Sequence, residues 1–154
     1  MNTEQVTKTV DIVANIYEFL DKNQITFSVE GDGVTEIDGR EVDKWLVCFT
    51  SNRGKRGFDY HTGVGLRKAH KYRSHIDPRP VQPPPADVLY CLVPDFFSVY
   101  NAIGFADWAE NTGLNPDSIK DRDIYDACCE SATKMLRVFS IEQMKELQEI
   151  LQDY

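Results

Sequence analysis

Five of the chain's seven prolines, Pro78, Pro80, Pro83, Pro84 and Pro85, fall within one short stretch. Each fixes φ and lacks a backbone N–H, so this stretch excludes regular helix and central strand. The chain must build its core from two halves joined by an extended connection, partly polyproline II.

The apolar pattern changes period across that connection. Before it, Ile25, Phe27 and Val29 alternate with Thr26 and Ser28, which is the spacing of a half-buried strand. Trp45 to Thr50 reads as a strongly apolar strand, and Phe58, Tyr60 and Thr62 alternate on the return. Gly31-Asp32-Gly33 and Ile37-Asp38-Gly39-Arg40 are turn signals, and Arg53-Gly54-Lys55-Arg56-Gly57 is a basic, glycine-containing hairpin tip. After it, Val88, Leu89, Leu92, Val93, Phe96, Phe97 and Tyr100 recur at three and four residues, with Pro85 suited to the first helical position and Pro94 able to kink or divide the helix. A short helix is expected around Phe105 to Asn111, and a longer one from Ser118 to Phe139 with Ile124, Ala127, Cys128, Ala132, Met135, Leu136 and Phe139 inward. Ser140 should start a last helix with Ile141, Met144, Leu147, Ile150 and Leu151 as its stripe. Ahead of the sheet, Val10, Val13, Ile16, Tyr17 and Leu20 predict a helix from about Val6 to Lys22.

The expected fold is therefore α+β. It has an N-terminal helix, a three- to four-stranded antiparallel sheet, a Pro-rich connection and a C-terminal bundle of about four helices packed on the sheet. A length of 154 residues suits one domain: helix plus sheet over 1–66, the connection over 67–85 and the helical half over 86–154. A hydrophobic fraction of 42% against 27% charged argues for a packed core rather than disorder. No apolar run reaches the roughly 20 residues of a membrane helix, and no secretory leader is read at the N-terminus. The four cysteines form no C-x-x-C pair, so reduced thiols in a cytoplasmic protein are expected.

Charge is distributed in blocks. Residues 1–51 are net −6, residues 52–84 are net +6 and residues 85–154 are net −8. The basic block contains Arg53, Lys55, Arg56, Arg67, Lys68, Lys71, Arg73 and Arg79. It reads either as internal neutralisation against the acidic helices or as an anion or phosphate site. Within it, Phe58-Asp59-Tyr60-His61-Thr62-Gly63-Val64-Gly65-Leu66-Arg67-Lys68 is the chemically suggestive segment. Glycines let a backbone approach an anion, and Arg67 could clamp it. The spacing is neither that of a dinucleotide fold nor of a P-loop. Tyr60, Tyr72 and His70 among these cations make the best local case for contact with nucleic acid. The three histidines, His61, His70 and His75, stand in cationic surroundings that disfavour a metal, and neither metal nor cofactor is expected. A Cys48–His61 nucleophile–base pair across neighbouring strands is the one catalytic pairing that can be drawn. Asp117, Asp121, Asp126 and Glu130 crowd one predicted helix as a solvated acidic face or a contact face for a basic protein.

The run of features "WLVCFTS", "FDYHTGVGLRK", "ADVLYCLVPD", "FADWAENTGLNPDS" and "IYDACCESATKML" resembles a family of small proteins found in tailed-phage and prophage genomes, over roughly residues 45–139. The resemblance implies an accessory protein made in the bacterial cytoplasm. Proteins of that kind often bind a host protein, and CRISPR inhibitors are one such class. The leading expectation is a non-enzymatic inhibitor of a host complex, CRISPR–Cas or another defence system. Its contacts would come from Arg53, Lys55, Arg56, Tyr60, His61, Arg67, Lys68, Lys71 and Arg73 and from the acidic helix face. The alternatives are a nucleic-acid or nucleotide-binding module using residues 53–79, or a small enzyme on a phosphorylated substrate with His61 as acid/base.

Overall fold

The computed structural model describes residues 3–37, 39–61, 83–113 and 119–152. Its element order is α1 (Thr3–Lys22), β1 (Thr26–Ile37), β2 (Arg40–Ser51), β3 (Gly54–His61), α2 (Pro85–Tyr100), α3 (Gly104–Thr112), α4 (Ile119–Leu136) and α5 (Ile141–Leu151). The expected α+β arrangement is what the chain adopts, with three strands among the described residues.

The strand count follows from one glycine pair. Gly31-Asp32-Gly33 does not turn the chain: β1 runs through it to Ile37, and the register with β2 shifts between Gly31 and Val34. A bulge needs the same backbone freedom as a turn, and Gly33 supplies it at φ 83. The sheet is antiparallel in the order β1-β2-β3. The basic hairpin tip is also shorter than its sequence suggests. The turn is Asn52-Arg53 alone, and Lys55, Arg56 and Gly57 belong to β3.

Alternation then decides the two faces of the sheet. Phe27, Val29, Trp45, Val47, Phe49, Phe58 and Tyr60 face the helices. Phe49 is the hub of this layer. Its ring lies 5.0 Å from Phe27, 6.3 Å from Phe58 and 5.3 Å from Phe139. On the opposite face, Ser28, Cys48 and Gly57 form one cross-strand row and Glu30, Leu46 and Asp59 the next.

The helices close the core over the inner face. α1 buries Ile12, Ile16, Phe19 and Leu20. Its stripe is rotated from the expected one, and Tyr17 is 53% exposed. The helix stops in a Schellman arrangement. Gln24 takes φ 55, its N–H donates to the Asp21 carbonyl, and the Ile25 N–H donates to the Leu20 carbonyl at 2.8 Å. Leu20 and Ile25 are both buried, which supplies the apolar contact of that motif.

In α2, Pro85 opens the helix, and the helix continues through Pro94 without dividing. Val88, Leu89, Val93, Phe96 and Phe97 are buried, while Tyr100 is exposed. α4 departs most from expectation. Cys128 and Met135 face inward, but Ile124 and Ala127 face solvent, and α4 ends at Leu136, so that Phe139 enters the core from the connecting turn. Ser140 caps α5 in a capping box with Gln143. Gln143 also donates to the Asn23 side chain at 3.1 Å, and Lys22 pairs with Glu146 at 2.6 Å, fastening α5 to the end of α1.

Candidate functional site

The junction between sheet and helices is held by the basic turn. Arg53 Nη2 donates to the Leu136 carbonyl at 3.0 Å, and Ser51 Oγ donates to the Val138 carbonyl at 2.7 Å. These carbonyls belong to the end of α4 and the turn after it. A helix C-terminus presents unpaired carbonyls and a partial negative charge, so a guanidinium placed there satisfies both. Arg53 thus sets its guanidinium at the surface against the C-terminal end of α4.

The other predicted cations separate. Lys55 is exposed on the outer sheet face, and Arg56 is half-buried on the inner side with Nη1 on the Lys55 carbonyl. His61 ends β3 opposite Lys44, which pairs with Asp32 at 3.3 Å. Tyr60 corrects the expectation of an exposed stacking aromatic. It is 5% exposed and part of the core, because it shares the inner face with Phe58. Arg67, Lys68, Lys71 and Arg73, and Gly63 and Gly65 with them, lie outside the described residues.

The Cys48–His61 pairing is overturned by register. Cys48 sits opposite Gly57, four residues before His61 along β3, or roughly 13 Å at the usual rise of a strand. Among the described residues no group of three or more histidine, cysteine or carboxylate side chains could hold a metal. No helix among them is long and apolar enough to cross a membrane.

Asp126 and Glu130 are exposed on α4, and Asp123 joins them. Asp117 and the side chain of Asp121 lie outside the described residues. Arg122 is the counter-charge of this face, with Nε 3.4 Å from Asp126 Oδ1.

Sequence reasoning missed what lies beside that face. A second apolar cluster of Trp108, Ala109 and Cys128 joins α3 to α4, with Phe105 and Tyr125 packed against it. Phe105 is 5.5 Å from Tyr125, and Trp108 is 5.3 Å from Tyr125. The Trp108 indole N–H donates to Ser98 Oγ at 3.0 Å, which ties the cluster to α2. The Arg122 guanidinium lies 5.0 Å above the Phe105 ring and 5.7 Å above Tyr125. A hydrogen bond with the Cys129 thiol holds the Tyr125 hydroxyl pKa above its usual 10.0. Burial adds to this and Arg122 opposes it. The i, i+3 spacing of Phe105 and Trp108 was legible as one helix face. Their pairing with Tyr125 is a tertiary contact that periodicity does not report.

Comparison with protein-family models, with curated proteins and with solved structures gives no match to this chain.

Proposed function

We propose that this chain is a binding protein of phage or prophage origin that inhibits a host protein complex, with CRISPR–Cas or another defence complex as its class of target. One observation carries most of the weight. Asp123, Asp126 and Glu130 stand exposed along one side of α4, and Arg122 is their single ion-pair partner among the described residues. Excess carboxylate on a stable helix face raises self-repulsion in the free protein. That repulsion is relieved by a surface of opposite sign, which also speeds encounter. The resemblance to phage accessory proteins gives such a surface a host partner.

The acidic face of α4, rather than the basic block, supports this reading over a nucleic-acid module, because the two readings share the basic contacts. Arg53 is committed to the end of α4 and Tyr60 to the core, so two of the expected contacts are structural.

The test is affinity capture from bacterial lysate together with phage plating on strains that carry defence systems. The expected result is a stoichiometric host complex and rescue of phage plating. Failure to recover a stoichiometric partner, with no rescue on any such strain, rejects the proposal.

A further inference from the structure

Ile103 is 90% exposed, the most exposed large apolar side chain among the described residues. A lone exposed isoleucine is ordinary. This one differs in how it is held and what it adjoins. Its backbone N–H donates to Asp107 Oδ2 at 2.8 Å. The two residues before it are tied back to α2, Asn101 to the Phe97 carbonyl and Ala102 to the Val99 carbonyl. Gly104 at φ 85 then turns the chain into α3. The side chain is therefore presented from a fixed turn.

Two residues on, Phe105 carries the Arg122 guanidinium on its ring and packs beside Tyr125. Aromatic rings and arginine on a rigid scaffold are the residues enriched at the energetic centres of protein interfaces. At 100° per residue, Tyr125, Cys129, Arg122, Asp126, Glu130 and Asp123 follow one another around α4. Arg122 thus stands between an aromatic side and a carboxylate side. The surface has an apolar knob, an aromatic–arginine stack and an acidic border.

We propose that Ile103 and the Phe105–Arg122–Tyr125 stack form the docking centre for a protein partner whose contact surface is an apolar helix face bordered by lysines and arginines. The apolar knob calls for the apolar face, and the border of Asp123, Asp126 and Glu130 calls for its charge. The inference rests on the host-binding reading above and names the contact that would serve it.

The test uses two designed amphipathic helical peptides of equal length and spacing, one of leucine and lysine and one of leucine and glutamate. Each is titrated into the isotope-labelled full chain and followed by amide shifts. The leucine–lysine peptide should shift Ile103, Phe105, Arg122 and Tyr125 and weaken as salt is raised. The leucine–glutamate peptide should not bind. Ile103→Asp should weaken the lysine peptide about tenfold or more, a loss typical of a central contact. Ile103→Ser should do so without the added charge. Both variants should keep the wild-type melting temperature, because Ile103 buries almost nothing.

Equal binding of the two peptides, shifts centred elsewhere, or unchanged affinity in both variants overturns the proposal. So does a wild-type dimer that Ile103→Asp dissociates, which would assign the surface to a second copy. A host complex captured equally by Ile103→Asp would reject this docking centre and leave the host-binding reading standing. Peptide binding through Ile103 with no host complex recovered would do the reverse.

Discussion

Gly54→Ala should be more damaging than a surface glycine substitution ordinarily is. Gly54 follows the basic turn at φ 153, and a Cβ added there would lie 3.1 Å from the Arg137 carbonyl oxygen. That oxygen is backbone, in the turn that the Leu136 and Val138 carbonyls fix by accepting from Arg53 and Ser51. Holding alanine in a sparsely populated backbone region costs about 1–3 kcal/mol. At 3.1 Å the carbonyl must give way by a few tenths of an ångström, which strains the two hydrogen bonds of the turn, each contributing about 0.5–1.5 kcal/mol. Partial loss of both brings the total to about 3 kcal/mol. For a domain of this size that lowers the melting temperature by roughly 6–12 °C. The assay is thermal unfolding followed by circular dichroism, with Gly39→Ala measured alongside. Gly39 has φ 77 and nothing within 4 Å of an added Cβ, so its substitution carries a positive-φ backbone cost with no contact beside it. If Gly54→Ala melts no lower than Gly39→Ala, the turn does not press on the end of α4 as argued.

Gln24→Gly should stabilise the chain by about 0.5–1 kcal/mol, because Gln24 holds the left-handed position of the α1 terminus that glycine fills without strain. A urea midpoint at or below wild type would contradict that. Ser140→Ala removes the side-chain acceptor for the Gln143 N–H and keeps the backbone N–H that donates to Gln143 Oε1, at a cost of about 1 kcal/mol, and Ser140→Asp should recover most of it. Failure of the aspartate variant to recover stability in denaturant titrations would show that the cap is not the cause. The raised Tyr125 pKa favours its neutral form in the fold. Its contribution is therefore full below 10.0 and is lost as pH rises through the higher folded value. Denaturation series above pH 10.0 should show a loss that Tyr125→Phe lacks, and parallel pH profiles for the two proteins would remove the assignment.

The period of the apolar residues reported the class of each element and most of the core. Val47, Phe49, Phe58 and Tyr60 could be assigned to one face by alternation alone, and all four are buried. What misled was chemistry read along the chain rather than across it. Tyr60 lies among charged neighbours, yet neighbours in a strand point to opposite faces, so Asp59 and His61 say nothing about where Tyr60 goes. Gly31 and Gly33 were legible as a place of backbone freedom, but a turn and a bulge use the same freedom, and only the partner strand decides between them. The acidic side of α4 was visible because helical spacing is local. The Phe105–Arg122–Tyr125 stack was not, since it joins two helices whose relative placement is set by the packing of Trp108 against Cys128.

The alternating charge blocks acquire a physical meaning once their partners are known. Each block is partly consumed by a contact within the fold. Lys22 holds Glu146 across α1 and α5, Lys44 holds Asp32 across β1 and β2, and Arg53 closes the end of α4. Such exposed pairs contribute little to stability, on the order of 0–1 kcal/mol each. Their consequence is to leave charge of one sign where no such contact reaches. On α4, where Arg122 pairs with Asp126, that remainder is negative, and it borders the half-buried Phe105–Tyr125 pair on which Arg122 is seated. A partner that met only the carboxylates would bind weakly and lose affinity quickly with salt. A partner that also covered Ile103 would exclude water from the carboxylate border and strengthen each charge contact. The adjacency of these two features, rather than either one alone, makes this side of the helical half the strongest candidate for recognition.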